Sequence, residues 1–322
     1  MKRCLKKLNI VKILYKRNFK NIINFVELLH MKVLVTGANG QLGSDVVNEL
    51  RKRNHEVVST DISGNMDYLL DITKDSIIEE VKKINPDAII HCAAWTAVDA
   101  AEDEENKEKV YNINVIGTKN LVEAAKDLDC KFLYLSTDYV FNGKGENPWK
   151  PDDKNYEPLN YYGETKLKGE LEVNKLNKYF IVRIAWVFGL NGKNFIQTMI
   201  NVGKTHNEVR VVNDQIGTPT YTYDLSRLLV DMIESDKYGY YHATNEGGYI
   251  SWYDFCVEIY KQANMNTKVI PVSTEEYGLS KAKRPFNSRL DKSKLSDNGF
   301  VRLPDYKDAL SRFLKEKYGQ QE

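Results

Sequence analysis

The chain has 322 residues, of which 42% are hydrophobic and 28% charged, and its formal net charge is +1. This length suits one large or two smaller domains, and the composition is typical of a globular protein with a substantial core. No run approaches the ~18 consecutive apolar residues of a membrane helix, so no membrane span is expected. The four cysteines form no C-x-x-C pair, which argues against a zinc site or disulfide framework and favours a reducing cytoplasm.

Residues 1–30 differ from the rest of the chain in charge. They hold eight basic residues and one acidic residue, which leaves 38 basic against 44 acidic residues in the remainder. That mildly acidic remainder gives no case for nucleic-acid binding. Apolar residues recur in the extension every three or four positions, and Lys12 and Lys16 interrupt any signal-peptide core. Two interpretations follow: a basic amphipathic helix on a membrane or partner, or a dispensable extension before Met31, which we favour.

A strand, a glycine loop and a helix are predicted in immediate succession after Met31. Four apolar or β-branched residues follow Lys32, as in a strand buried on both faces. The next glycines are spaced G-x-x-G-x-x-G and precede a helical pattern, which is the context of a dinucleotide-binding loop. Gly37 is expected to let the chain turn, Gly40 to let the phosphates approach, and Gly43 to let the helix pack on the strand.

The second predicted strand ends in a carboxylate. Asp61 comes 18 residues after Gly43, close to the ~20 expected for the acid that binds the adenosine ribose. A carboxylate there repels a 2′-phosphate and favours NAD(H), and the glycine loop contains no arginine to oppose it. Asp71, followed by Ile72, is expected either to flank the adenine or to cap the next helix.

The third predicted strand, residues 87–94, is expected to pass close to the cofactor. It ends in Ala93 and Ala94, whose small side chains would let a phosphate and ribose approach the backbone. His91 within this strand is expected to be a core histidine with its hydrogen bonds satisfied. A long helix is predicted to follow over residues 102–127.

A fourth predicted strand, residues 131–138, leads into the candidate catalytic residues. It ends in two hydroxyls and a carboxylate, and Thr137 is placed to hold a substrate carbonyl, because ligands of open parallel sheets bind at strand carboxyl ends. In a later helix, Tyr162 and Lys166 stand at i and i+4 and therefore share one face. A nearby ammonium lowers the pKa of a phenol, about 10 in isolation, and makes proton transfer feasible. Thr137, Tyr162 and Lys166 are therefore the predicted catalytic residues.

The remaining pattern completes an α/β chain. Strands are predicted over residues 179–184, 209–212 and 240–244, and helices over 195–203, 222–235, 251–263 and 305–322. The expected fold class is a Rossmann-type doubly wound parallel sheet with a smaller C-terminal α/β substrate-binding lobe. Residues 31–188, joined by about 220–240, are predicted to form the NAD(P)-binding domain, and residues 189–322 mainly the substrate-binding lobe.

Several segments together resemble one protein family. In chain order they are HCAAWTAVD at 91–99, STDYVFNG at 136–143, NDQIGTPT at 213–220 and RPFNSRL at 284–290. With the glycine loop, they resemble the dTDP-4-dehydrorhamnose reductases of the extended short-chain dehydrogenase/reductase superfamily. The resemblance runs from about Met31 to the C-terminus and leaves residues 1–30 without a counterpart. Related dehydratases carry Asp-Glu after the threonine, whereas Tyr139 follows Asp138 here, which argues for simple reduction.

The resemblance implies that NADPH or NADH reduces the 4-keto group of dTDP-4-dehydro-L-rhamnose. Hydride would go to sugar C4, Tyr162 would protonate O4, Lys166 would bind the nicotinamide ribose, and Thr137 would orient the keto oxygen. Asp138, Trp186 and Arg284 would bind substrate; the alternatives are core packing for Trp186 and a surface ion pair for Arg284. The implied cofactor contacts, besides Tyr162 and Lys166, are Gly40, Gln41, Leu42, Asp61, Asp71, Ile72, Ala94, Trp95 and Thr96.

The same resemblance leaves a homodimer open, with a Mg²⁺ ion at its interface in some relatives, but no metal ligand is predicted here. Two other functions are kept. One is a non-catalytic NADP-binding regulatory subunit similar to the β subunit of methionine adenosyltransferase. The other is a reductase or epimerase of another nucleotide sugar, because such enzymes share the scaffold residues.

We expect a variant that lacks residues 1–30 to keep both its activity and the membrane partition of the full chain, because Met31 directly precedes the first predicted strand. Cofactor oxidation and co-sedimentation with vesicles, measured for both forms, test this expectation. A large loss of either property would support the amphipathic helix instead.

Overall fold

The structure is a computed structural model that describes residues 30–319. Within this range the strands are β1 (Lys32–Thr36), β2 (Glu56–Asp61), β3 (Tyr68–Leu69), β4 (Ala88–His91), β5 (Lys131–Thr137), β6 (Tyr179–Ile184), β7 (Val187–Phe188), β8 (Glu208–Val212), β9 (Ile216–Gly217), β10 (Thr220–Tyr221), β11 (Gly239–His242), β12 (Ile250–Ser251) and β13 (Lys268–Val272). The helices are α1 (Gln41–Lys52), α2 (Ser76–Ile84), α3 (Glu104–Tyr111), α4 (Thr118–Leu128), α5 (Tyr161–Val173), α6 (Phe195–Gly203), α7 (Thr222–Ile233), α8 (Trp252–Gln262), α9 (Thr274–Tyr277), α10 (Ser293–Asp297) and α11 (Tyr306–Tyr318).

One seven-stranded sheet dominates the described part of the chain, in the order β3-β2-β1-β4-β5-β6-β11. Every pair of neighbouring strands in it is parallel. The order reverses at β1, which places β2 on one side and β4 on the other, as in a doubly wound Rossmann sheet. The predicted fold class is therefore confirmed.

Helices cover both faces of this sheet. On one face α1 packs against α7, and Val33, Val35 and Leu229 belong to the shared core. On the other face α2 packs against α4, and Leu34 and Leu121 belong to a second core. Because alternate residues of β1 enter opposite cores, the strand is apolar throughout, which is the pattern the sequence displayed.

A smaller α/β lobe lies beyond β6. β8 and β13 pair in parallel, and α6, α8 and α11 share a core with them that contains Phe255, Ile259 and Phe313. Between β8 and β13 the chain returns to the main sheet, where α7 packs on α1 and β11 pairs with β6. The sequence predicted such a return at about residues 220–240.

The helix predicted over residues 102–127 is interrupted. It consists of α3 and α4 joined by a π-helical turn, Asn112–Gly117. Such a turn inserts an extra residue into the helical ladder and is common at functional sites. No propensity or periodicity signal reports it, because the flanking residues remain helical.

None of the helices in residues 30–319 is both long and apolar enough to cross a membrane. The interpretations of residues 1–30 fall on residues 1–29, outside the described range. The last three residues of the helix predicted over 305–322 also lie outside it.

A buried ion pair ties α5 to the sheet. Arg183 of β6 and Glu170 of α5 are both fully buried, and Nε and Nη2 of Arg183 each donate to a Glu170 oxygen at 2.8 Å. The guanidinium also donates to the Pro151 carbonyl at 3.1 Å and to the Tyr156 hydroxyl at 2.9 Å. With its donors satisfied in this way, the pair holds the middle of α5 against β6.

We expect Arg183→Met to destabilise the fold by about 3–5 kcal/mol, because it leaves the Glu170 carboxylate buried without its partner. Urea unfolding, followed by circular dichroism, gives the free energy of unfolding. The control is Lys168→Met, which removes an exposed ion pair with Glu164 on the same helix and should cost less than about 1 kcal/mol. Equal losses of unfolding free energy in the two variants would contradict the structural role given to the Arg183–Glu170 pair.

Candidate active site

The glycine loop is shaped by close backbone contacts. Gly37 has φ +66°, and a Cβ added there would lie 2.6 Å from the Ala93 nitrogen. A Cβ added at Gly43 would lie 2.1 Å from the Gly37 carbonyl oxygen, so the contact that demands this glycine is with the loop itself. Gly40 is less confined, with 3.1 Å to the same oxygen. The first turn of α1 is thus folded back onto the loop.

The N-terminus of α1 is open toward this loop. Gly40 stands at the N-cap without a side-chain cap bond, and the first turn has no acidic residue. The N–H groups of a first helical turn and the positive end of the helix dipole attract anions. The loop and helix therefore form a cradle that fits a diphosphate.

A cavity of about 510 Å³ runs from the loop past the ends of β2 and β4. The predicted cofactor residues that line it are Gly37, Gly40, Asp61, Asp71, Ile72, Ala93 and Ala94. Asp71 does not cap a helix. Its Oδ1 accepts hydrogen bonds from the N–H and the hydroxyl of Thr73, at 3.0 and 2.7 Å.

Acidic groups dominate the charge around this cavity. Asp61, Asp71, Glu105 and Glu108 line it, together with the ammonium of Lys109. Oδ2 of Asp61 accepts a hydrogen bond from the backbone N–H of Asn39 at 3.1 Å, which holds the carboxylate beside the loop. A ribose 2′-hydroxyl can donate to such a group, whereas a 2′-phosphate would meet like charge.

A second cavity, of about 450 Å³, opens at the carboxyl ends of β5 and β6. It shares Gly37, Gly40 and Ala94 with the first cavity, so the two adjoin at the glycine loop. The other predicted residues that line it are Gln41, Leu42, Gly43, Thr96, Thr137, Asp138, Tyr162, Lys166 and Trp186. All three predicted catalytic residues therefore face one space.

The start of α5 brings these side chains together. Asn160 caps the helix by accepting a hydrogen bond from the Gly163 N–H at 2.8 Å. A Cβ added at Gly163 would lie 2.4 Å from the Tyr139 carbonyl oxygen, so the helix packs tightly on the turn that follows β5. This close packing sets Tyr162 beside Thr137.

Burial dominates the electrostatics of the site. It lowers the pKa of Lys166 to about 7, against an opposing effect of Glu170 one turn along α5. Burial also raises the pKa of the Tyr162 phenol, the Asp138 carboxylate raises it further, and the Thr137 hydroxyl lowers it. The protein alone therefore keeps the phenol protonated, and the sequence-based expectation that a neighbouring ammonium lowers this pKa stays a prediction.

Asp138 is an unusual carboxylate. It is 2% exposed, its Oδ1 accepts a hydrogen bond from the Thr137 hydroxyl at 3.0 Å, and its Oδ2 has no partner within the described chain. Burial raises its pKa to about 6. A buried acceptor without a partner, lining the same cavity as Thr137, is suited to a hydroxyl of a bound ligand.

Trp95 lies outside the lining of both cavities. Its backbone N–H donates to Oδ1 of Asn114 at 2.8 Å, and the Asn114 side chain also donates to the Thr165 hydroxyl of α5 at 3.0 Å. Asn114 thus joins the strand-β4 exit to the catalytic helix from within the π-helical turn. His91 is a core residue with a hydroxyl near each ring nitrogen, Thr36 at 2.7 Å and Thr118 at 3.1 Å.

Trp186 both packs and lines the second cavity. It has φ +52°, which is rare for a bulky side chain, and its ring stacks on Trp252 at 3.8 Å between centroids. Trp252 also lines a third cavity, of about 320 Å³, between the smaller lobe and the segment after β4 that contains Asp99. The stacked pair therefore stands between the catalytic cavity and this third one.

Arg284 lines the third cavity but is already paired. Its guanidinium donates to both carboxylate oxygens of Asp99, at 3.1 and 2.7 Å. Asp99 and the aromatic and basic residues that share this cavity were not predicted from the sequence; the latter are Phe195, Arg210, Trp252 and Tyr277. They lie on a strand, three helices and a loop far apart in sequence, and short-range patterns do not bring them together.

Within residues 30–319, no three or more His, Cys, Asp or Glu side chains are arranged to hold a metal ion. The expectation of no metal therefore remains a prediction.

Comparisons with known proteins were consistent with one another. The family model described as RmlD substrate binding domain matches residues 31–318. The chain is 37% identical to the spore coat polysaccharide biosynthesis protein SpsK of Bacillus subtilis, over 89% of this chain and 98% of that protein. It is 37% identical to a dTDP-4-dehydrorhamnose reductase of Aggregatibacter actinomycetemcomitans, over 87% and 97%. A crystal structure of dTDP-4-dehydrorhamnose reductase from Bacillus anthracis in complex with NADP superposes with a TM-score of 0.83 and 42% identity, covering 89% and 99%.

We expect the chain to bind NADH at least about 10-fold more tightly than NADPH, and Asp61→Ala to remove most of that difference, because it removes the carboxylate that a 2′-phosphate would face. Calorimetric titration with each cofactor measures both affinities. Glu79→Gln is the control, since this exposed carboxylate pairs with Lys82 and does not line the cavity. Tighter binding of NADPH than of NADH by the unmodified chain would contradict the proposed role of Asp61 in excluding a 2′-phosphate.

Proposed function

Because the chain belongs to the RmlD substrate binding domain family, we propose that it reduces the 4-keto group of dTDP-4-dehydro-L-rhamnose to give dTDP-L-rhamnose, with NADPH or NADH as reductant. Membership rests on a family match over residues 31–318. The observation that carries the activity is the single cavity that Thr137, Tyr162 and Lys166 share with the glycine loop. The product would serve the synthesis of cell-surface polysaccharide.

The residues present fit a nicotinamide cofactor. The open N-terminus of α1 suits its diphosphate. Gly37, where a Cβ would collide with the Ala93 backbone, lets the loop lie against the end of β4. Asp61 suits the adenosine ribose, and the second cavity leaves room for the nicotinamide near Lys166. When bound, the reduced nicotinamide supplies the hydride that the ketone carbon receives.

The side chains of this protein handle the proton and the charge. Thr137 donates its hydroxyl proton in a hydrogen bond to the keto oxygen and so orients it toward Tyr162, which requires that hydroxyl to turn away from Asp138 Oδ1, its acceptor in this structure. Tyr162 gives its phenolic proton to that oxygen as negative charge develops there. Lys166, one turn along the helix, stabilises the resulting phenolate, because an adjacent ammonium favours the charged form of a phenol. Asp138 accepts a hydrogen bond from a sugar hydroxyl through its unpartnered oxygen.

The third cavity is proposed to hold the nucleotide of the substrate. Phe195, Trp252 and Tyr277 offer flat apolar surface for a base, and Arg210 and Arg284 offer positive charge for the diphosphate. Because Asp99 occupies the Arg284 guanidinium in this structure, diphosphate binding there requires Arg284 to share or exchange that partner.

We also propose a cytoplasmic location and a homodimer. Within the described residues Cys92, Cys130 and Cys256 are free thiols, which suits the reducing cytoplasm. A homodimer is proposed from the family resemblance alone, and sedimentation velocity of the purified chain would test it.

We expect the chain to oxidise NADPH or NADH when dTDP-4-dehydro-L-rhamnose is added, and Tyr162→Phe to lower kcat by about 10²-fold or more, because it removes the proton donor. The assay follows absorbance at the reduced-nicotinamide band.

Tyr161→Phe is the matched control, since the hydroxyl of this neighbouring tyrosine donates to the Lys107 carbonyl and does not line the catalytic cavity, so the rate should be kept. Tight cofactor binding without oxidation would favour the regulatory-subunit function. Oxidation with a different nucleotide sugar only would favour the other reductase or epimerase.

A further inference from the structure

The ammonium of Lys166 contacts a side chain that is not one of the proposed catalytic residues. It is 3% exposed, and its ammonium nitrogen lies 4.1 Å from the ring centroid of Tyr134. By contrast, the buried Lys292 donates to the Asn245 carbonyl at 2.9 Å and lies 3.5 Å from a Glu246 oxygen. Where Lys292 has a carbonyl and a carboxylate, the Lys166 ammonium faces an aromatic ring.

Tyr134 is rigidly placed beneath the catalytic helix. It is fully buried in β5, between His91 of β4 and Ile181 of β6. Its hydroxyl donates to the backbone carbonyl of Lys166 at 3.3 Å. A Cβ at Gly169 would lie 2.2 Å from that hydroxyl oxygen, so only glycine lets α5 approach the ring this closely.

We propose that Tyr134 is a positioning residue for the catalytic lysine: its ring holds the ammonium of Lys166 in place and keeps it charged. An ammonium over an aromatic face is attracted by the ring quadrupole, more strongly when water is excluded. The proposal rests on the reductase function proposed above for its role in catalysis. The placement of the ammonium does not depend on that function.

The other groups around Lys166 do not take over this role. Glu170, one turn along α5, favours the charged lysine, but both of its oxygens are bound by Arg183. His91 of β4 is neutral, because burial lowers its pKa to about 3. Cys92 beside it is a thiol, because burial raises its pKa to about 12. Burial opposes the charge on Lys166, and the ring offsets part of that effect.

The direction in which the pH profile should move follows from the charge on Lys166. The ring stabilises the ammonium, so removing the ring lowers the pKa of Lys166. Lys166 then loses its proton at a lower pH, and activity that needs the ammonium is lost earlier as pH rises. We expect Tyr134→Leu to move the basic limb of kcat/KM lower by about 1 pH unit, with KM for the nucleotide sugar little changed.

Tyr134→Phe keeps the ring and removes only the hydroxyl, so its basic limb should stay within about 0.3 pH unit of the unmodified protein. Phe132→Leu truncates another fully buried ring on the same strand and face, away from Lys166. It controls for general loss of packing and should leave the basic limb in place. A limb that moves equally in Tyr134→Leu and Phe132→Leu would overturn the proposal.

A direct titration separates this proposal from the reductase function. The ¹⁵N shift of the Lys166 side chain, assigned by its loss in Lys166→Met, reports the lysine pKa whether or not the protein turns over substrate. Trifluorophenylalanine incorporated at position 134 weakens the ring quadrupole at nearly constant volume, which covers the case in which Tyr134→Leu does not fold. We expect a lower Lys166 pKa with trifluorophenylalanine than with phenylalanine, and an unchanged value would refute the role of the ring.

Discussion

Parallel strands all end at the same edge of their sheet, and this constraint places the catalytic residues and the cofactor-binding loop. The carboxyl ends of β1, β4 and β5 deliver the glycine loop, the alanine pair and Thr137 to one edge. The helix after β5 then has to cross back over that edge, which brings Tyr162 and Lys166 over the same cavity. A mixed or antiparallel sheet would send half of these groups to the opposite side.

Burial at this edge shifts the pKa values of the catalytic groups. Each buried ionisable group therefore needs a neighbour that stabilises it. Lys166 and Asp138 are buried and Tyr162 is half-buried, so these ionisable groups are largely removed from water. The Tyr134 ring of β5 faces the Lys166 ammonium, and the Thr137 hydroxyl at the end of β5 donates to Asp138. The π-helical turn holds α5 itself, because Asn114 donates to the Thr165 hydroxyl. The precision of the site therefore depends on packing between elements more than on the catalytic residues.

The sequence predicted much of this because the signals are local. Strand and helix types, the α1 loop and the i, i+4 spacing of Tyr162 and Lys166 are all properties of short segments. The π-helical turn was missed because helical segments continue on both sides of it, so the apolar pattern reads as one helix. The third cavity, the Asp99 partner of Arg284 and the position of Trp95 outside both cofactor cavities were missed since they depend on contacts across many residues. Gly43 was expected to let α1 pack on β1, but its close contact is with the Gly37 carbonyl in the loop, and glycine spacing does not distinguish the two.

The seventh strand of the sheet follows the first half of the smaller lobe in the chain, and this has a consequence for how the protein folds during synthesis. β11 pairs with β6, and His242 at its end lies 3.4 Å from the buried guanidinium of Arg183. During synthesis the edge of β6 stays unpaired until residue 242 has left the ribosome, by which time the first half of the smaller lobe has already emerged. Until β11 arrives, β6 presents an unpaired strand edge that can pair with other chains and aggregate. Early folding of residues 189–238 protects this edge only if it holds the emerging β11 segment near β6. A nascent chain stalled near residue 190 would lack the strand that closes its own sheet.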